Sequence, residues 1–487
     1  MRNLWAYISS RTNLADWLII VAIVLVYLLL RGITYTIGLP PMEWVALGGM
    51  LVLFVVIRSI TTPFILLIFI TTGSLLGNLI LVFEDGLIPF SLFQIFYIFS
   101  VLVFIARWFI SGFEPIRKSG FELELVLFFS LIFLSIIWTP DAELGFLHAL
   151  RVFALAGLLY LFINWIQEPR QITLLIISLI AIGSIMGLVA IYDAIANPMA
   201  IIQDVLSDGT RLASRARIGQ VDPNIFASLF FLPLSFTACI TFSNTKWRYR
   251  LLGSVFFLIL LAAVLITFSR SSWVAVIVML FVLAIMYRQY NLFLITALAG
   301  VILIASIPEL RHLFLNILDR FVAIFSGSAD ASSWMRVVLL EGSIRIFFDS
   351  WLMGVGWRGF PDAFIGYYSL QETLGIYEPH NVIYLVYSEL GIIGFLLFIF
   401  IVYKIFYLAW QNIRLSANHG VEIKALSHAV FGTFLAYAVF YQFIGSGFTD
   451  NQLWITTGII IALNYYLKNQ TDTAETSLSG QEGYTDT

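Results

Sequence analysis

The chain has 487 residues, of which 60% are hydrophobic and 11% charged, with a formal net charge of −3. A mean hydropathy of +0.95 and apolar runs of roughly 17 to 25 residues, the length a helix needs to cross a bilayer, exclude an ordinary soluble domain and a nucleic-acid partner. The composition predicts an all-α polytopic integral membrane protein, and the single cysteine, Cys239, leaves neither a disulfide framework nor a Cys-rich metal site.

At the N-terminus, "MRNLWAYISSRTNLADW" leads into an apolar segment too long for a signal-peptide core, so it reads as the first permanent span. Run length and breakers predict about 14 spans (12–14), near 16–37, 43–57, 62–83, 89–110, 121–138, 146–165, 172–193, 223–243, 250–268, 272–287, 291–307, 381–403, 425–445 and 452–467. Alternating them places all five lysines, with Arg58, Arg107, Arg117, Arg170, Arg248, Arg288 and Arg414, on one side. The positive-inside rule makes that side cytoplasmic and puts both termini inside.

The opposite side carries arginine without lysine, at Arg31, Arg151, Arg211, Arg215, Arg217, Arg270, Arg311, Arg320, Arg336, Arg345 and Arg358. Guanidinium forks fit phosphate oxygens bidentately, so this bias points to anion recognition. The competing reading is arginine snorkelling to the interface, which suits Arg31, Arg311 and Arg320.

Two outer segments, about 194–222 and about 308–380, are too long for simple connections. The first holds "DGTRLASRARIGQVDPN" and the second "SSWMRVVLLEGSIRIFFDSWLMGVGWRGF". In the second, the spacing of Trp334, Val337, Val338, Ile344, Phe347 and Phe348 predicts an amphipathic helix over about 332–350, lying at the outer interface and able to turn Arg336 toward the protein. The chain is thus expected to form one transmembrane domain, 1–467, whose two outer loops build the active-site region. The polar stretch 468–487 is expected to be a disordered cytoplasmic tail.

Candidate chemistry gathers at the outer edge. In "TFSRSSW", Arg270 has too little linker to leave the membrane boundary, so it either snorkels or answers an anion. Arg217, and less directly Arg211, can share that anion, while Asp222 or Asn224 can cap the helix that starts near Pro223. In "EPHNVIYLVYSELGIIGFLLF", His380 precedes the apolar run from Val382 and is either a capping or interfacial residue or a general base at the depth of those arginines. Glu389, about 13 Å deeper at 1.5 Å per residue, is too far down to act on the same atom and reads as a structural partner. His148 and His312 lack this setting. Without an Asp-x-Asp pair, a His-x-x-x-His cluster or a Walker loop, the sequence offers no metal site and no cofactor or nucleotide site.

Ser269-Arg270-Ser271, Arg336 with Gly354-Val355-Gly356, and His380-Asn381 through Tyr384-Leu385 to Glu389, Gly391 and Gly394 resemble, in order and spacing, the O-antigen ligase and polymerase superfamily of bacterial envelope glycan assembly. "RIGQVDPNIFASLFFLPL" and "SIIWTPDAELGFLHALRVF" are also similar to that family, so the resemblance covers about 135–398. Ser271 departs from a frequent glycine, which alters the turn and leaves its arginine.

The resemblance implies metal-independent, inverting glycosyl transfer from an undecaprenyl-diphosphate-linked glycan to a sugar hydroxyl at the external face of the cytoplasmic membrane. Arg270 and Arg336 would stabilise the departing diphosphate, His380 would take the acceptor proton, and Arg217, Arg211, Asn381 and Glu378 would bind or orient substrate. The partners implied are the lipid-linked donor, a glycan or lipid-linked acceptor, membrane lipid and other polysaccharide-assembly proteins. Polymerase and ligase differ in acceptor and both stay open. The alternative class is a transporter, a lipid-linked-glycan flippase or bicarbonate-type carrier, for which the sequence offers no clear internal repeat.

Overall fold

A computed structural model of the chain describes residues 62–76, 91–113, 115–196, 222–267, 269–291, 294, 298, 302, 331–367, 378–445 and 447–482. Their regular structure is helical: α1 Phe64–Leu76, α2 Leu92–Ile110, α3 Glu122–Ser135, α4 Ala142–Trp165, α5 Pro169–Ala196, α6 Pro223–Ser228, α7 Phe231–Phe242, α8 Trp247–Leu265, α9 Arg270–Tyr287, α10 Ala331–Asp349, α11 Phe360–Tyr367, α12 Val382–Leu415, α13 Val421–Phe440 and α14 Asn451–Glu482.

Eight helical stretches among the described residues are long and apolar enough to cross a membrane. They are Leu92–Ile110, Ala142–Trp165, Pro169–Asp193, Pro223–Phe242, Trp247–Leu265, Arg270–Tyr287, Val382–Asn418 and Val421–Phe440, each on an expected span. This supports a polytopic α-helical membrane protein, but not the count of about 14. The spans expected at 16–37 and 43–57 lie outside the described residues, as does most of 291–307. The one expected at 62–83 is described only as the 13-residue α1, and that at 121–138 as the 14-residue α3, both short of a bilayer. Helix α14 continues to Glu482, into the stretch expected to be a tail.

The chain divides into two compact units, Met1–Ile70 with Gln94–Pro115, and Thr71–Phe93 with Ile116–Thr487. In the first, the rings of Phe69 and Phe96 meet at 5.1 Å. In the second, α7 packs on α8 and α13, α9 on α13, α14 on α4, and α12 on α3, α10 and α14. Membrane helices gain little from hydrophobicity against one another, so small residues and buried polar groups mark the crossings. The Ser235 hydroxyl donates to the Ala429 carbonyl at 2.8 Å, and Asn464 Nδ2 to Asn412 Oδ1 at 2.8 Å.

Helix α10 forms where the apolar spacing predicts, but its faces divide differently. Val338, Leu339 and Ile346 are buried in a cluster with Phe360 and Phe364 of α11. Val337, Ile344 and Phe348, counted with Val338 in the predicted face, are exposed, and that face omits Leu339 and Ile346. At 100° per residue Leu339 and Ile346 lie across the helix from Val337, Ile344 and Phe348, so the helix carries an inner apolar face and an outer apolar strip.

Helix α12 contains the least predictable feature. At Gly391 the backbone turns to φ 64°, ψ −165°, which breaks the helix inside a continuous apolar run. The loop 351–356 fills that break: Val355 and Gly356 N–H donate to the Ser388 and Glu389 carbonyls at 3.0 and 2.9 Å, and Ile392 N–H donates to the Trp351 carbonyl at 2.8 Å. Backbone groups freed in a membrane helix need such partners. The approach is close enough that a Cβ on Gly354 would lie 2.3 Å from the Glu389 carbonyl, and one on Gly391 2.4 Å from that of Leu352. The glycines at 354 and 391 are therefore two halves of one backbone crossing.

Candidate functional site

The site is built from three helix starts. Asp222 caps α6, accepting from the Asn224 and Ile225 N–H groups at 2.7 and 3.3 Å, with Pro223 in the first turn. Asn224 is thereby left for another task, and its Oδ1 accepts from the Ser269 hydroxyl at 2.7 Å and the Ser271 hydroxyl at 3.5 Å. Ser269 caps α9 through the Ser272 N–H. The Ser-Arg-Ser turn is thus bolted to the Asp-Pro-Asn turn, and Arg270, half-buried, is the first residue of α9.

Asn381 caps α12, accepting from the Ile383 and Tyr384 N–H groups at 2.8 and 3.2 Å. Its Nδ2 donates to the Gln442 backbone carbonyl at 3.0 Å, so both ends of this buried side chain are used by the protein. Immediately before it, His380 keeps an exposed surface. Enough protein surrounds its ring that desolvation lowers the imidazole pKa below its ordinary value; Arg336 lowers it further and Asp222 opposes them. Arg336 belongs to α10 and Asp222 to the α6 cap, so groups from two other elements act on the charge of His380. Arg336 is half-buried.

Of the residues expected from sequence, Arg336 acts on the His380 charge, and Asp222, which also acts on it, is linked through Asn224 to the Ser269 turn that precedes Arg270. Glu378 forms an ion pair with Arg358. Arg211 and Arg217 lie outside the described residues. Glu389 is 1% exposed; it accepts from the Phe360 N–H at 3.4 Å and interacts with the Arg358 backbone and guanidinium.

Sequence reasoning passed over Arg358, His148 and the second role of Asn224. His148, Trp357, Arg358, Glu378 and Glu389 line a cavity of about 10 Å³. The loop carrying Trp357 and Arg358 is pinned by the "SIIWTP" stretch: Trp357 N–H donates to Ser135 Oγ at 3.0 Å, and the Thr139 hydroxyl donates to the Trp357 carbonyl at 2.9 Å. The available signal was Arg358 itself, an arginine close behind two glycines of a turn.

Among the described residues no group of three or more His, Cys, Asp or Glu is placed to hold a metal ion. A larger apolar cavity of about 140 Å³ opens beside the first turn of α12, between Val382, Ile383, Gln442 and Tyr441, and runs toward Phe121 and Leu125.

Residues 255–399 match the O-antigen ligase family. The match supports the O-antigen ligase and polymerase superfamily and bears out the sequence resemblance from 255 onward; the similar stretches at 135–153 and 217–234 lie outside it. It begins within α8 and ends in the middle of α12, so Arg270, Arg336, Arg358, Glu378, His380 and the Gly391 break all fall inside it. At family level it supports glycosyl transfer of the O-antigen ligase or polymerase type. No curated protein matches the chain.

Proposed function

We propose that this protein transfers a glycan from undecaprenyl diphosphate to a sugar hydroxyl at the external face of the bacterial cytoplasmic membrane, without a metal. The observation that carries the proposal is that the family-matched segment holds Arg270 at the start of α9, Arg336 on α10 and His380 at the head of α12, with Arg336 lowering the imidazole pKa and Asp222, outside the match, opposing it. A neutral imidazole is the competent form of a base, and the environment favours it.

In the step proposed, a hydroxyl oxygen of the acceptor attacks the anomeric carbon of the donor sugar from the face opposite the diphosphate. Its proton passes to His380 as the bond to the diphosphate oxygen breaks, with inversion. Arg270 and Arg336 stabilise the charge that develops on the leaving group, where preorganised cations lower the barrier most. Arg217 and Arg211 assist at the diphosphate. Asn381 contributes by holding the start of α12 and Glu378 by its pair with Arg358, so each orients the site rather than binding substrate.

In this reading both termini are cytoplasmic and the whole chain crosses about 14 times. A transporter reading would draw on the broken helix α12, since broken helices are common in carriers. The break at Gly391, however, is bridged by backbone bonds to loop 351–356, which engage the Ser388 and Glu389 carbonyls that an ion would need.

The test supplies purified protein with an undecaprenyl-diphosphate glycan, with and without a chelator. A ladder of lengths identifies a polymerase and a single glycan on a foreign acceptor a ligase. Unconverted donor contradicts the proposal and favours transport.

A further inference from the structure

Arg358 occupies left-handed backbone, φ 65°, between Gly356 and Gly359. Glycine adopts that conformation without strain and an L side chain does not. For the backbone alone arginine is the poorer residue, so what it adds is its guanidinium. That group pairs with Glu378, interacts with buried Glu389, and sits on a loop fixed to Ser135, Thr139, Ser388 and Glu389.

Glu378 stands two residues before His380. Downstream, the segment is held by the Asn381 cap, by Asn381 Nδ2 on Gln442, and by Val382 N–H donating to the Tyr441 carbonyl at 2.9 Å. Between them, buried Pro379 packs so tightly that a Cβ on Gly445 would lie 2.3 Å from its carbonyl. His380 is therefore bracketed by two anchors, and the upstream one ends on Arg358.

We propose that Arg358 is a positioning residue for His380: through Glu378 it fixes the segment that presents the imidazole and neutralises the carboxylate closest to it in sequence. This rests on the reading of His380 as the base. The charged groups that act on the imidazole are Arg336 from α10 and Asp222 from the α6 cap.

The test uses full-length protein in lipid nanodiscs, with an undecaprenyl-diphosphate glycan and its acceptor, and measures kcat, KM and the pH profile of kcat. Arg358→Gly suits the backbone, which offsets part of the lost ion pair, and is expected to fold. Its kcat should fall on the order of 10- to 100-fold, the cost of a misplaced catalytic group, with KM within about threefold of wild type.

The charges that act on the imidazole, Arg336 and Asp222, stay in place, so the acidic limb of the profile should stay where the wild type has it. Glu378→Gln breaks the same pair from its other side and should show the same fall in kcat. Arg358→Lys keeps the charge and should keep most of kcat. A folded Arg358→Gly variant with wild-type kcat overturns the proposal. So does a variant whose loss lies in KM with kcat kept, or whose limb moves, since neither marks a misplaced base. If the wild-type protein makes no product, glycosyl transfer itself fails and this inference fails with it.

Discussion

At the residue scale, each candidate at the head of α12 has a second partner that defines what it can do. His380 titrates below the ordinary histidine value because its ring is desolvated and Arg336 is near. The pH dependence follows with its sign. The neutral imidazole is active, so transfer rises as pH rises through a pKa below about 6.5. Arg336→Gln removes a nearby positive charge and moves that limb up, whereas Asp222→Asn removes a negative one and moves it down. A limb above the ordinary value in wild-type protein would contradict the environment described. Asn381→Ala strips the α12 start of its cap and should lower stability by about 1 kcal/mol, read as a lower melting temperature in detergent.

His380 and Arg270 stood out as candidates in the sequence because charge at the edge of an apolar run is conspicuous, and Arg336 because an amphipathic helix is predicted around it. The pairing of Arg358 with Glu378 was not, because it joins residues 20 positions apart through a folded loop. Nor could spacing show that Asn224 serves the Ser269 turn while Asp222 alone caps α6.

At the element scale, the protein relies on one crossing of two backbones at Gly354 and Gly391. Both have positive φ and no room for a Cβ. Gly354→Ala and Gly391→Ala should each cost about 3 kcal/mol through overpacking and left-handed strain, seen as a lower melting temperature or loss of folded protein. Gly366, where an added Cβ meets nothing within 4 Å, is the control. In helix α11, Gly366→Ala should leave stability unchanged or raise it by up to about 1 kcal/mol. Hydropathy could not reveal the break in α12, since the run on both sides of Gly391 is apolar. It did reveal α10, but amphipathic spacing does not say which apolar strip meets the protein. The contacts of Val338, Leu339 and Ile346 with α11 decided that.

At the scale of the whole molecule, each of the eight membrane-crossing stretches was visible in the sequence, because a bilayer demands length and apolarity of each helix separately. The way they pack was not visible, because it depends on small residues and buried polar pairs that hydropathy ignores. Helix α12, 34 residues with the break at Gly391, carries His380 just before one end and Arg414 near the other. With Cys239 buried, a cysteine introduced at position 380 should react with an impermeant maleimide in intact cells, and one at 414 only after permeabilisation. The reverse pattern would place the site in the cytoplasm.

The most direct measurement compares wild type, Arg270→Ala and His380→Ala, each folded in nanodiscs, for transfer from an undecaprenyl-diphosphate glycan in the presence of a chelator. The proposed mechanism predicts product from the wild type, and a loss on the order of 10²- to 10⁴-fold in each variant. Full transfer by either folded variant would contradict it.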